Sequence, residues 1–371
     1  GIIGESGSGK SLLSSAITKL YPKNSQIKGN IIFENKNILS LNKREIENIR
    51  GKKISMIFQE PMTALNPLLT IRKQIIEPLQ IHTKKSKKEI YHLTEKKLFQ
   101  VGLNSKNNLS DLYPHQLSGG QRQRAMIALA TILKPKILIA DEPTSSLDVY
   151  NQSKIIKLLK KLSVEDKITI IFITHDLTLL SHMVKNLIIL KDKKIFEKGN
   201  INEIFSDKKN NYIKNLLEES NLDKLNIEQN PKKIELLKVS NLTKTYNEKI
   251  LFFTKSKLSP AIQKLNFTIN KGECLGIVGP SGCGKSTLAK VILGLINTDQ
   301  GEIILNKNEI NMKEKFKKDV RKKIQIVFQD PYSSFNPRHK IKRIISEPFF
   351  LHKSKYSKNE LDVLLKKLIG A

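Results

Sequence analysis

"GIIGESGSGKS", residues 1–11, returns almost unchanged as "GIVGPSGCGKS" at 276–286, and the reading of this pair decides the fold. Each copy runs a short apolar stretch, read as a strand, into a loop of the form G-x-x-x-x-G-K-[ST]. Segments with apolar residues at helical spacing follow, "SLLSSAITKL" and "STLAKVILGLI". Glycines let the backbone N–H groups curl around an anion, and the next helix adds its N-terminal dipole. The loops therefore read as phosphate cradles. Gly4, Gly7, Gly9, Lys10 and Ser11 form the first; Gly279, Gly282, Gly284, Lys285, Ser286 and Thr287 form the second. Lys10 and Lys285 place a point charge on the transferred phosphate, and Ser11 and Ser286 offer a hydroxyl to Mg²⁺.

The repetition continues beyond the cradles. "ISMIFQEPMTALNP" at 54–67 matches "IQIVFQDPYSSFNP" at 324–337, an offset of 270 against 275 for the loops. Order and spacing hold together, which is domain duplication. The polar stretch "NLDKLNIEQNPKK" at 221–233 reads as a linker between a first domain at 1–220 and a second at 234–371. The second copy is preceded by strand-like "IELLKVSNLTKTY" and "IQKLNFTI", which the first copy lacks, and both ends of the chain read as cuts.

Composition narrows the class less than the motifs do. The 371 residues suffice for two domains with their own cores. No run of eighteen apolar residues exists, so no membrane span is expected. The formal net charge is +30, but the cations are spread along the whole chain and only eight are Arg. Without a basic block interleaved with aromatics, coding bias explains this charge better than a nucleic-acid face. Cys274 and Cys283 form neither a metal spacing nor a disulfide framework.

The acidic chemistry comes next. "KILIAD" at 136–141 and "ITIIFITHD" at 168–176 are continuous apolar runs, as strands buried on both faces require. Strands alternating with helices imply an α/β domain with a largely parallel sheet, and "NLIILKDKKIFEKG" at 186–199 adds a hairpin. Asp141, at the end of its strand, is placed to bind Mg²⁺ through water, and Glu142 to polarise the attacking water. The bland alternative is an acidic pair that caps a helix. His175 ends the next strand, where it suits a γ-phosphate contact with Asp176 as a polar anchor; a core histidine is the alternative. Gln59 and Gln329 each follow an apolar strand in "F-Q-[ED]-P", where an amide reaches Mg²⁺ or the lytic water.

"LSGGQRQR" at 117–124 occurs once. Ser118 is a good N-cap, and with the N–H groups of Gly119 and Gly120 it forms another anion site at a helix start. Its own domain already owns a phosphate cradle, so this site should serve phosphate presented by a different domain.

These residues resemble a known family. "GESGSGKS", "FQEP", "LSGGQRQR", "LIADEPTSSLD" and "FITHD" look like the nucleotide-binding domain of an ABC transporter, in the family's order over nearly all of residues 1–200. "FQEPMTALNP", "FQDPYSSFNPR" and "YPHQLSGGQRQR" further resemble the peptide importer branch, and the tandem arrangement resembles its fused two-domain ATPases. The resemblance implies two P-loop domains, each a mostly parallel core with an antiparallel part and a helical subdomain, sandwiching two ATP molecules head to tail with Mg²⁺. Ser118 would then complete the Lys285 site. The Lys10 site would wait for a signature beyond Ala371, so the chain as given is expected to hydrolyse ATP negligibly. Ser145 to Asp148 resembles the loop that touches the partner domain, and Tyr246 the aromatic that stacks on adenine; a Tyr packed on the sheet is the alternative. The implied partners are two membrane-spanning permease subunits and, indirectly, an extracytoplasmic peptide-binding protein. The implied place is the cytoplasmic face of the membrane, with no nucleic-acid partner. "NNYI" at 210–213 departs from the "HPYT"-like segment usual in that branch, which weakens the substrate assignment. A soluble tandem ATPase acting on ribosomes or DNA, and a decayed gene remnant, are the rival readings.

Overall fold

The computed structural model describes residues 1–5, 7–22, 24–103, 109–206, 213, 234–248, 257–279, 282–306, 308–310, 318–328, 334–351 and 358–369. The chain divides into two compact units, residues 1–230 with 278–283, and residues 231–277 with 284–371. The stretch read as a linker, 221–233, lies outside the described residues.

In the first unit β1 (Ile2–Gly4) leads through the glycine loop into α1 (Lys10–Ile17). A short ribbon of β2 (Ile32–Phe33) and β3 (Lys36–Asn37) precedes α2 (Lys43–Ile49) and β4 (Ile54–Ile57). Four helices follow: α3 (Pro61–Ala64), α4 (Ile71–His82), α5 (Lys87–Gln100) and α6 (Gly119–Thr131). The chain then alternates β5 (Ile137–Asp141), α7 (Val149–Glu165), β6 (Thr169–Ile173) and α8 (Leu177–Met183). It finishes with the hairpin β7 (Asn186–Lys191) and β8 (Lys194–Asn200), then α9 (Ile201–Ser206).

The sheet order is β4-β5-β6-β1-β7-β8, parallel except for the final antiparallel pair. Side chains alternate faces along a strand, and the core records it. Ile3, Leu138, Ala140 and Phe172 pack on one face with Met126 and Leu159 of the helices. Ile2, Ile139 and Ile173, their immediate neighbours, pack on the other with Ile38 and Ile54. Both faces are covered, which is why the strands read as unbroken apolar runs.

The second unit holds β9 (Glu235–Glu248), β10 (Lys257–Asn270), α10 (Lys285–Ile292), β11 (Gln300–Leu305) and β12 (Asn308–Ile310). Helices α11 (Lys318–Lys323), α12 (Ile341–Leu351) and α13 (Lys358–Ile369) follow. Its sheet is antiparallel, ordered β10-β9-β11-β12, with Leu237, Val239, Leu242 and Ile303 packed against Leu288 and Val291 of α10.

Here the expectation fails in part. Neither "GIV" at 276–278 nor "IQIVF" at 324–328 forms a strand, and Val278 and Val327 are each 97% exposed. The equivalents β1 and β4 gain their ladders from parallel neighbours. Among the described residues of the second unit no strand pairs with either stretch, and an apolar run without a ladder has no reason to extend. The mostly parallel core expected of this domain is thus absent from its described residues.

Asp299 fastens the second sheet. Its carboxylate takes the Lys244 ammonium at 2.8 Å and the Thr245 N–H and hydroxyl at 2.6 Å each. The Lys244 and Thr245 donors hold its pKa down at about 2. A depressed carboxylate stabilises the fold above its unfolded value of about 3.9 and loses that contribution as pH falls through the folded value. Asp299→Asn is expected to flatten the acid limb of unfolding between about pH 4 and about pH 2. A circular-dichroism acid titration of both proteins checks it; superimposable acid limbs would contradict the assignment.

Candidate functional site

Topology gathers the site before any side chain does. β5, β6 and β1 are successive parallel neighbours, with Asp141 opposite Ile173 and Ile173 opposite Ile2. Their carboxyl ends therefore open on one edge of the sheet, where ligands of such sheets sit. Gln59 arrives there two residues beyond the end of β4. Together Gly7, Gly9, Lys10, Ser11, Leu12, Gln59, Glu142 and His175 line a cleft of about 570 Å³.

The loop conformation explains its glycines. Gly7 and Gly9 have φ of +81° and +98°, in the left-handed region, and a Cβ on either would meet nothing within 4 Å. Backbone sign, not space, demands glycine there. Gly4 is the opposite case: a Cβ would lie 2.3 Å from the Leu190 carbonyl oxygen on the neighbouring strand. The second loop repeats the same hand, with φ of +85° at Gly282 and +99° at Gly284. Lys285, Ser286 and Thr287 open α10 as Lys10, Ser11 and Leu12 open α1.

Lys10 is buried, and its ammonium donates to the carbonyls of Gly4 (2.7 Å) and Glu5 (2.9 Å), folding the loop around itself. Asp141 is 3% exposed and accepts from the Ser14 hydroxyl at 3.2 Å through Oδ2, while Oδ1 is buried with no partner. Burial pushes its pKa up, against the Ser11 and Ser14 hydroxyls, which pull it down. Glu142 has φ +45°, held by its N–H donating to the Ile173 carbonyl (2.9 Å) and by the Ser145 hydroxyl donating to its own carbonyl (3.1 Å). Its Oε2 accepts from Gln59 Nε2 at 3.0 Å and its Oε1 faces His175 Nδ1 at 3.2 Å. With Nδ1 donating to the carboxylate, His175 presents Nε2 outward. Its side chain is 65% exposed, so the core-histidine alternative fails. Asp176 instead caps α8, accepting from Thr178 and Leu179 N–H groups.

The chemistry of the donors fits Mg²⁺ in the first cleft. A buried carboxylate oxygen without a partner lies on a residue flanked by the Ser11 hydroxyl. Mg²⁺ beside phosphates takes few protein ligands, most of its shell being phosphate oxygen and water. Gathered clusters of three or more His, Cys, Asp or Glu are absent among the described residues.

Ser118, Gly119 and Gly120 do not line this cleft. Ser118 caps α6 with a reciprocal box: its hydroxyl accepts from Gln121 N–H (3.4 Å) and its own N–H donates to Gln121 Oε1 (2.9 Å). A Cβ on Gly120 would lie 3.2 Å from the Asn151 amide, and one on Gly119 3.7 Å from Leu147. Asp148 caps α7 by accepting from Asn151, so the signature turn and the "SSLD" run adjoin. Tyr246 lies on β9, 40% exposed, with the Lys244 ammonium 5.9 Å from its ring centre. Gln329 lies outside the described residues.

Sequence reasoning passed over Ser14, and over the contact by which Ser145 holds the Glu142 carbonyl. Ser14 had a visible signal, since the second copy carries Ala289 at that position. Ser145 had none, because its contact is with a main-chain oxygen.

Comparison with known proteins agrees with this geometry. The sequence profile of the ABC transporter family matches residues 1–145 and 262–369. The chain is 36% identical over 370 residues to the peptidoglycan transport ATP-binding protein YejF of Agrobacterium fabrum, covering 97% of this chain and 66% of that one. It is 36% identical over 362 residues to the uncharacterized ABC transporter ATP-binding protein YejF of Escherichia coli, covering 95% and 67%. It is 34% identical over 385 residues to the glutathione import ATP-binding protein GsiA of Pectobacterium atrosepticum, covering 95% and 62%. The chain thus spans about two thirds of the length of these curated relatives. No helix among the described residues is long and apolar enough to cross a membrane. With its glycine loop, acidic strand end and capped signature helix in one sheet-based unit, and with that profile matched over both glycine loops, this chain belongs to the ABC transporter family.

Proposed function

We propose that this chain binds ATP and, assembled with its transport partners, hydrolyses it to power import of peptides or peptide-like solutes. The observation that carries the hydrolytic part is the convergence of Lys10, Gln59, Glu142 and His175 on one cleft. The names of the aligned relatives, transport and import ATP-binding proteins, support the transport part. In this reading Lys10 exchanges its two loop carbonyls for phosphate oxygens. Ser11, Asp141 and Gln59 hold Mg²⁺ in the first cradle, and Ser286 with Gln329 do so in the second. When bound, the ion neutralises charge on the β- and γ-phosphates. Glu142 accepts the proton of the attacking water as the water oxygen bonds to the γ-phosphorus and the bond to the β-phosphate oxygen breaks. His175 faces a γ-phosphate oxygen with Nε2, which donates to it only when that nitrogen carries a proton. Tyr246 stacks on adenine in the second cradle.

The finer reading follows the duplication: a first domain at 1–220 and a second at 234–371, joined by 221–233 and working as a pair. In it Ser118, Gly119 and Gly120 bind the nucleotide held on the Lys285 loop. Two permease subunits transmit the motion, with an extracytoplasmic binding protein feeding them at the cytoplasmic membrane. The chain's own cysteines supply a test, since Cys283 stands in the second loop and Cys274 before it. With Cys274 changed to Ser, Ser118→Cys is expected to form an oxidant-induced disulfide with Cys283, faster with ATP and Mg²⁺ than without. Mass spectrometry of the cross-linked peptide checks it; absence of that cross-link under every nucleotide condition would remove Ser118 from the Lys285 site.

A further inference from the structure

Asp141 is held unevenly. Oδ2 takes the Ser14 hydroxyl at 3.2 Å, and Oδ1, equally buried, has no partner. Ser14 is itself 0% exposed, one helical turn beyond Ser11 on α1. Its hydroxyl also meets the Ser11 carbonyl at 2.8 Å. That contact back along the helix fixes the rotamer, and the rotamer delivers Oγ to Asp141. A hydroxyl has one proton, shared between the two acceptors and drawn to the charged one, because hydrogen bonds to ions are the stronger kind. A methyl in the same place would do neither. The chain makes that comparison itself: Ala289 occupies the equivalent position on α10, between the buried Leu288 and Val291.

We infer that Ser14 is a positioning residue for the divalent cation of the first cradle. By fixing Asp141 through Oδ2 it keeps Oδ1 as the oxygen free to meet the ion, and the second cradle, with Ala289, lacks this brace. The inference rests on the proposed role of Asp141 and Ser11 as the residues that hold Mg²⁺. Without the brace the carboxylate loses the contact on Oδ2, and more of its fixing falls to the cation, which weakens binding. The nucleotide cradle, built from the loop backbone, is untouched.

The test measures binding, not turnover. In a Lys285→Ala background, which confines the signal to the first cradle, the full chain is titrated with a fluorescent non-hydrolysable ATP analogue in EDTA and at graded Mg²⁺. Ser14→Ala is expected to raise the Mg²⁺ concentration for half-maximal enhancement about fivefold, the size of a shared charge-assisted hydrogen bond, with affinity in EDTA unchanged. Ser14→Thr, which keeps a hydroxyl on the helix, is expected to restore the wild-type midpoint. Ser14→Ala folds on this account because alanine already serves at 289. Asp141→Asn is the control for the underlying reading and should abolish the Mg²⁺ enhancement. If it does while Ser14→Ala matches wild type, the inference about Ser14 is wrong and the metal reading stands. If Asp141→Asn leaves the enhancement intact, the metal reading itself fails. A Ser14→Ala loss that appears equally in EDTA, or that Thr does not restore, assigns Ser14 to packing and overturns the proposal.

Discussion

Glu142→Gln is expected to lower the proposed ATP turnover by about a hundredfold or more, the usual worth of a general base. Nucleotide affinity should stay within about threefold, because phosphate binding is left to the loop backbone and Lys10. The carboxylate is held at both oxygens, by Gln59 Nε2 at 3.0 Å and by His175 Nδ1 at 3.2 Å. Glutamine keeps the shape and the left-handed backbone but replaces one acceptor by a donor. If its oxygen keeps the Gln59 bond, its NH₂ faces His175, which must then accept at Nδ1 and carry its proton on Nε2. The substitution therefore removes the proton acceptor and reverses the hydrogen bond between this residue and His175 in one step. His175→Ala should cost turnover less than Glu142→Gln, since the base would remain. Phosphate-release kinetics of the three proteins, beside fluorescent-nucleotide binding, decide it. Turnover within a few-fold of wild type in Glu142→Gln would take the role of base away from Glu142.

The largest stability effect is expected far from the cleft, at Asp166. Asp166 stands at the C-cap of α7, where its backbone N–H donates to the Leu162 carbonyl, and its side chain, 6% exposed, meets Lys97 (5% exposed) at 3.2 Å and Lys134 (65% exposed) at 2.8 Å. Burial raises the Asp166 pKa, but the hydrogen bond from Lys134 and the charge of Lys97 outweigh it, and the net shift is downward. Burial also dominates Lys97 and lowers it, against the opposing pull of Asp166. Both shifts run downward, the carboxylate's because two cations outweigh its burial, the ammonium's because burial outweighs the pull of Asp166 and Glu165. Asp166→Ala strands a buried ammonium, so a loss of about 3 kcal/mol is expected, the lower end for breaking such a pair. The sign of its pH dependence follows. A lysine whose folded pKa lies below its unfolded value binds fewer protons when folded, so stability rises as pH climbs between the two values. Asp166→Ala should therefore recover part of its loss as pH is raised toward the alkaline range, and Lys97→Met combined with Asp166→Ala should recover most of it at neutral pH. Urea midpoints of wild type and both variants at three pH values test this. A loss that is independent of pH and unchanged in the double variant would show that the stranded Lys97 ammonium is not its cause.

Much of the first unit was legible as sequence. The glycine loop, "LIADEP" and "FITHD" are apolar strands that end in polar chemistry, and a strand buried on both faces has no freedom to hide that pattern. The helix starts were legible for a similar reason. Ser118 and Asp148 cap α6 and α7 through contacts three residues away, a range over which sequence and space coincide. The second unit was read less well. "GIV" and "IQIVF" carry nearly the same apolar pattern as β1 and β4, yet join no ladder among the described residues, and Val278 and Val327 lie exposed. A strand is a property of the ladder it joins, and the ladder is not written in the strand itself.

The chain's order of residues by itself determined the phosphate loops, the acidic strand end, the duplication and hence the family, because each depends on neighbours within a turn or a strand. Tertiary structure alone decided that Gln59 and His175 grip opposite oxygens of Glu142, that Lys10 binds its own loop, and that Ser14 braces Asp141 across 127 positions of chain. Those contacts gather at the strand ends of one open sheet, and only the packing that buries both faces of that sheet fixes which strand ends meet.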